Sequence, residues 1–263
     1  VTNIFHHIHN NIFSVILGKF YALTDVGNFN QANKWNYMGH SLINGMITGV
    51  AQPVLAQVTD DKERQLRVFR KMMRFTAFVS FPAMFGLSLI APELIPIAIT
   101  DKWIESAKML QILCISGAFI PIVNLCGNLL ISKGKSNIYM WNTIALSFFQ
   151  LTIALILYPY GIHRMLYAFV AIQTGWLSIW SYWVHREINL TTWTWLKDIS
   201  PYFLLSVTLT LISHYVTLSI ESTIIRFICK ILCVAVPYLS ILWILKSVIL
   251  REAIEFLRHK KTK

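Results

Sequence analysis

The stretch IYMWNTIALSFFQLTIALILY, residues 138–158, runs without a single charged side chain. About 20 apolar residues of helix cross the hydrocarbon core of a bilayer, where backbone amides find no water and must bond within their own segment. Outward from this stretch the pattern repeats in both directions. It predicts spans at about 4–21, 36–58, 72–98, 106–131, 138–158, 165–184, 200–220 and 226–250, with short polar links between them. The expected fold class is all-α: a polytopic transmembrane helix bundle of about eight spans. Composition agrees, with 56% hydrophobic and 13% charged residues and a mean hydropathy of +0.56, where a water-facing domain carries about 25% charged residues. The chain opens on Val1 and enters a span almost at once, without the ordered parts of a signal peptide, so it reads as a fragment whose beginning is missing.

Basic residues near span ends stay preferentially on the cytoplasmic side. The link 59–74 holds Lys62, Arg64, Arg67, Arg70, Lys71 and Arg74; with the alternate links and the tail the total is sixteen Lys and Arg, against seven on the opposite side. Both ends of the chain are therefore expected in the cytoplasm. Net charge is +11, but the basic residues sit in juxtamembrane links beside no nucleic-acid-binding pattern, so no nucleic acid partner is expected. Within 59–74, Asp60 and Glu63 fit a capping box, and Leu66, Phe69 and Met73 oppose Arg64, Arg67, Lys71 and Arg74 as on a surface helix. That basic surface suits anionic membrane lipids, or recruitment of an anionic substrate headgroup. Trp193 and Trp195 read as interfacial anchors.

Cys114, Cys126, Cys229 and Cys233 all fall inside spans and give neither a disulfide framework nor a zinc spacing, so no metal or other cofactor is expected. All twelve Asp and Glu fall in links, the tail or span ends. That distribution argues against a carboxylate relay or an acid–base catalytic pair in the membrane, and hence against an enzyme.

Uncharged polarity is what the spans do contain. Asn36, His40, Asn44, Thr48 and Gln52 recur every fourth residue of the second span and form one polar stripe. Such a stripe either lines a hydrated cavity or supplies interhelical hydrogen bonds. Gly45 and Gly49 on the same helix make a small-xxx-small pair suited to close helix approach, and Pro53 predicts a kink. The first span adds His9, Asn10, Asn11, Ser14 and Lys19. His214 reads as a packed histidine, Asn124, Asn128, Gln150 and Gln173 as weaker candidates of the stripe's kind, and Trp176, Trp180 and Trp183 as a packing stripe.

Gly18-Lys19-Phe20-Tyr21, then Gly27-Asn28-Phe29-Asn30-Gln31-Ala32, then Pro53-Val54-Leu55 occur in an order and spacing that resemble the polysaccharide flippases of the multidrug, oligosaccharidyl-lipid and polysaccharide exporter superfamily. Pro82 with Gly86, Lys102-Trp103 and Gly127-Asn128-Leu129-Leu130 with Gly134 continue the resemblance. Gln31 stands where the family usually has Arg, and Gln52 where it has Phe. The resemblance implies that residues 1–188 are the six-helix second lobe of a two-lobed exporter, with 189–263 two additional helices and a basic tail, the first lobe being absent from this chain. It implies flipping of a polyprenyl-pyrophosphate-linked oligosaccharide by alternating access. Asn11, Lys19, Asn36, His40, Asn44 and Thr48 would then line the cavity, Lys19 would pair with pyrophosphate, and a polysaccharide polymerase and a chain-length regulator would be partners. A drug or lipid exporter of the same superfamily and a membrane-embedded polymerase or acyltransferase are the alternative readings.

Overall fold

The computed structural model describes residues 17–247 and 249–252. Most of the first predicted span, with His9, Asn10, Asn11 and Ser14, and the end of the basic tail lie outside the described residues. Among those described are nine α-helices and no strand: α1 Leu23–Gln57, α2 Lys62–Ala98, α3 Ile104–Gly117, α4 Ile120–Ser132, α5 Ser136–Leu157, α6 Ile162–Gly175, α7 Leu177–Ile188, α8 Thr192–Thr217 and α9 Thr223–Ile244. Short 3₁₀ turns, Asp101–Trp103 and Tyr158–Tyr160, precede α3 and follow α5.

Among the described residues, five segments are long and apolar enough to cross a membrane: Lys62–Ala98, Asp101–Ser132, Ser136–Tyr160, Thr192–Thr217 and Thr223–Ile244. The all-α transmembrane bundle read from the sequence therefore holds. The second of these contains α3 and α4, one path broken at residues 118–119, where Pro121 brings no amide hydrogen to the new helix. Helices α6 and α7 meet in the same way at Trp176. The polar stripe keeps α1 off the apolar list, and the helix begins thirteen residues before the span expected at 36.

Local chemistry sets the ends. The Asp61 carboxylate accepts from the Arg64 N–H at 2.9 Å and starts α2, so the cap is Asp61 rather than the expected Asp60–Glu63 box. The segment 59–74 is no separate surface helix either: α2 runs from the basic link through the third span unbroken, with Phe69 and Met73 buried. Gly134, at φ 71°, terminates α4 in a left-handed turn that a Cβ would strain, and the Lys135 N–H closes it on the Leu130 carbonyl at 2.8 Å.

Contacts define two ends of the bundle. At one, rich in basic residues, the Lys133 ammonium donates to the Glu187 carbonyl (3.1 Å), Lys135 pairs with the Glu187 carboxylate, Arg70 pairs with Asp198, and Lys71 with Glu252 (2.9 Å). At the other, the Tyr21 hydroxyl donates to the Tyr158 carbonyl (2.7 Å), the Ser106 hydroxyl to the Asn28 carbonyl (2.9 Å), and Lys230 pairs with Glu93 (2.6 Å). Helices α8 and α9 lie against α2, where Phe203 enters a ring cluster with Phe81, Phe85 and Phe119 at centroid distances of 5.2–6.0 Å.

Several expectations are corrected by this packing. Nothing lies within 4 Å of a Cβ placed on Gly45 or Gly49; the close approaches occur at Gly39, Gly117 and Gly127. Glu93 and Lys230 are not link residues but buried side chains within α2 and α9, and the Lys230 ammonium donates to Glu93 Oε1. His214 faces outward on α8 rather than packing, and Trp195 is buried while Trp193 is 78% exposed.

A buried charge left without its partner costs about 3–5 kcal/mol, whereas replacing both partners by apolar groups is close to neutral. Lys230→Met is expected to lower stability by about that amount, and Glu93→Leu with Lys230→Met to recover most of it. Thermal unfolding in detergent measures both.

Candidate functional site

Helix α1 turns 100° per residue, so positions four apart drift slowly around the axis and stay on one side over several turns. Asn36 and His40 are buried and Asn44 and Thr48 half-buried, and all four line one cavity of about 760 Å³. That volume falls within the range of small-ligand pockets. Ser116 of α3, Asn124 and Asn128 of α4, Tyr139 and Thr143 of α5, Gln173 of α6 and Trp180 of α7 complete the wall with apolar neighbours. Asn36, His40, Asn44 and Thr48 of the stripe thus share one hollow with Asn124, Asn128 and Gln173. Gln52 is exposed and lies off the cavity.

Two glycines shape the walls. A Cβ on Gly117 would collide with Asn36 Oδ1 and stand 2.6 Å from Met84 Cε, so only glycine admits the Asn36 side chain between α1 and α3. A Cβ on Gly127 would stand 2.6 Å from the Tyr139 ring, which needs that space to join the wall.

Neutral hydrogen bonds stand at the cavity. Thr48 Oγ1 donates to Asn44 Oδ1 at 3.4 Å, and Gln150 Nε2 donates to Gln173 Oε1 at 3.0 Å, linking α5 to α6. Asn36 Oδ1, His40 Nδ1 and Trp180 Nε1 are buried with no protein partner. Leaving a buried polar atom unpaired costs about 1–3 kcal/mol. Three such atoms on residues lining one hollow mark it as a place for water or for the polar groups of a ligand. Among the described residues that line it, Lys34 is the one with a formal charge, and no carboxylate is present.

Other residues singled out in the sequence fall elsewhere. Lys19 is exposed, its ammonium 5.6 Å from the Phe20 ring centroid, and it is not part of the cavity wall. Arg64 is exposed; Arg67 pairs with Glu63 at 3.6 Å, Lys71 with Glu252, and Arg74 approaches Asp198 at 4.0 Å. Much of the basic surface is thus matched by acids of the same chain. Sequence reading missed Asn30, Asn33 and Lys34 as lining residues because it started the second span at 36; extending the span by two turns toward the N-terminus takes them in.

The residues of the motifs act as scaffold. Phe20 stacks on Tyr158 at 4.3 Å, Gly27 packs on the Trp103 ring, and Asn28 receives the Ser106 hydroxyl. Residues 1–108 match the family described as "Polysaccharide biosynthesis protein". The resemblance to the polysaccharide exporters holds. An "Uncharacterized membrane protein in cps region" of Klebsiella pneumoniae is 32% identical over 133 residues, 51% of this chain and 27% of that protein. "Teichuronic acid biosynthesis protein TuaB" of Bacillus subtilis (strain 168) is 26% identical over 227 residues, 80% of this chain and 44% of that protein. Among solved structures, "Lipid II flippase MurJ, inward closed conformation" superposes with a TM-score of 0.75 at 17% identity, over 94% of this chain and 52% of that one. The chain thus spans less than half the length of these curated relatives and carries the fold of about half of the solved flippase.

Overfilling a packed site costs about 1–3 kcal/mol, while Gly→Ala in an unobstructed helix interior gains about 0.5–1 kcal/mol. Gly117→Ala is expected to lower the melting temperature in detergent, and Gly45→Ala to leave it unchanged or raise it.

Proposed function

We propose that this chain forms half of a transporter that flips a polyprenyl-pyrophosphate-linked oligosaccharide, a building unit of O-antigen, capsule or exopolysaccharide, across the bacterial inner membrane. The observation that carries the reading is the α1 stripe, which turns amides, an imidazole and a hydroxyl into a hollow with unpartnered polar atoms, within a fold shared with a lipid II flippase. Hydroxyl-rich sugars exchange hydrogen bonds with such groups without needing a charge partner at each position, whereas an acid–base enzyme would need carboxylates there. The reading therefore casts the protein as a carrier and gives it no catalytic residue.

The sixteen-to-seven bias of basic residues supports an orientation with the basic end, and both chain termini, in the cytoplasm. In this mechanism the lobe rocks against a second lobe, the sugar head crosses through the polar hollow, and the polyprenyl tail remains in lipid. Asn36, His40, Asn44 and Thr48 contact the glycan. Asn11, outside the described residues, and Lys19, which is not part of the described cavity wall, are kept as proposed contacts of the anionic part of the substrate. The basic stretch with Arg64, Arg67, Lys71 and Arg74 meets anionic headgroups at the membrane surface. A polymerase and a chain-length regulator acting on the same units are the expected partners.

Each hydrogen bond is worth about 0.5–1.5 kcal/mol net, and about 1.4 kcal/mol is a factor of ten. His40→Ala with Asn44→Ala and Thr48→Ala in the full-length protein is expected to lower glycan export at least about tenfold at equal protein level. Lys19→Ala is expected to act more weakly. Unimpaired export by the triple variant, read as surface polysaccharide, would refute the cavity assignment.

A further inference from the structure

Helix α2 is held at both ends by ions belonging to α8 and α9. At the basic end Arg70 donates through Nε to Asp198 Oδ2 at 2.6 Å and through Nη2 to Oδ1 at 2.9 Å, a two-pronged pair whose carboxylate is buried. At the opposite end Lys230 donates to Glu93 Oε1 at 2.6 Å and to the Leu89 carbonyl at 3.1 Å, and both side chains are only 5–6% exposed. Arg226 stands 4.0 Å from the same carboxylate oxygen. Between the two ends the Tyr238 hydroxyl donates to the Phe78 carbonyl at 2.8 Å, and Phe78 packs its ring on Tyr202 and Tyr238. Positions 70 and 93 are about 35 Å apart along the helix at about 1.5 Å per residue, a full hydrocarbon thickness.

We infer that α8 and α9 travel with the preceding helices as one rigid body, fixed by ion pairs at opposite ends of α2, instead of forming a hinge or a mobile gate. A helix held at one point can still pivot or slide. Helices α8 and α9 are bound to each other, the Ser213 hydroxyl donating to the Lys230 carbonyl at 3.4 Å, so the pair is held at two points a bilayer apart and can do neither without unpairing a buried charge. On the cavity side α5 and α6 are bridged by the neutral Gln150–Gln173 hydrogen bond, and the ion pair Lys135–Glu187 ties the α4–α5 turn to α7 at the basic end. The inference rests on the transport reading and gives a role to the helix pair that reading leaves idle.

The test uses the full-length protein with every native cysteine, the four of this chain included, replaced by alanine. Cysteine pairs Arg70→Cys with Asp198→Cys, and Glu93→Cys with Lys230→Cys, are each bridged by a short bifunctional thiol reagent, and glycan flipping is measured before and after. A rate retained within about twofold supports the single body. Loss on bridging that is restored by cleaving the link overturns it while leaving the transport reading intact; absence of flipping by the unbridged, otherwise native protein defeats the transport reading instead. Because removing an ion pair can unfold the chain, Phe81→Cys with Phe203→Cys, which leaves both pairs in place, serves as the second bridge. A readout independent of flipping comes from spin labels at the exposed positions Phe75 on α2 and Trp193 on α8. One distance distribution, unchanged by lipid-linked glycan, supports the inference, and a second population or a shift overturns it.

Discussion

A polar atom in the hydrocarbon layer has no bulk water to return to, so each one must meet a partner inside the protein or face a hollow that admits water. That constraint sorts nearly every hydrophilic side chain in the described bundle. Hydroxyls of Thr76, Thr143, Ser147, Thr152, Thr210 and Thr217 turn back onto carbonyls one helical turn earlier and ask nothing of neighbouring helices. Lys230 meets one oxygen of the Glu93 carboxylate. Of the buried polar atoms left without a partner among the described residues, those of Asn36, His40 and Trp180 belong to residues that line the cavity, and the others are spread through the bundle.

The same constraint explains what could be read in advance. Hydropathy located the helices because a bilayer forces continuous apolar length, and an apolar window survives small errors in its ends. The stripe at 36, 40, 44 and 48 was legible for the same reason in reverse, since polar residues at a helical period have to share a face. Position along the normal was harder. Glu93 lies near the end of a predicted span, and sequence offered no way to see that α9 would bring Lys230 against it, because that meeting joins residues 137 positions apart. Gly45 and Gly49 fitted a packing motif by spacing alone. The helices of this lobe instead close on glycines opposite a large side chain, Gly117 against Asn36 and Met84, and Gly127 against Tyr139.

The residues that carry the family resemblance are mostly not the ones that line the hollow. Phe20, Tyr21, Gly27, Asn28 and Trp103 join the helix ends opposite the basic links through ring stacking and short hydrogen bonds. Such contacts depend on shape, and a shape shared across a family leaves a recognisable motif. Polar groups that meet a cargo need only suit that cargo. Gly127 and Asn128 stand between these classes: the glycine makes room for Tyr139, and its neighbour lines the hollow.

The strengths of the two kinds of contact then divide the molecule. A neutral hydrogen bond such as Gln150 to Gln173 contributes about 1 kcal/mol net, while parting a buried ion pair costs about 3–5 kcal/mol. In the transport reading proposed above, weaker contacts belong beside the cargo and stronger ones away from it. The buried pairs Arg70–Asp198 and Lys230–Glu93 clamp α2 to the helices behind it, while α5 meets α6 through the Gln150–Gln173 amides, and the ion pair between α7 and the α4–α5 turn, Lys135–Glu187, stands at the basic end. Parting the amides costs less than parting the clamps, so under that reading the α5–α6 wall yields before α2 separates from α8 and α9.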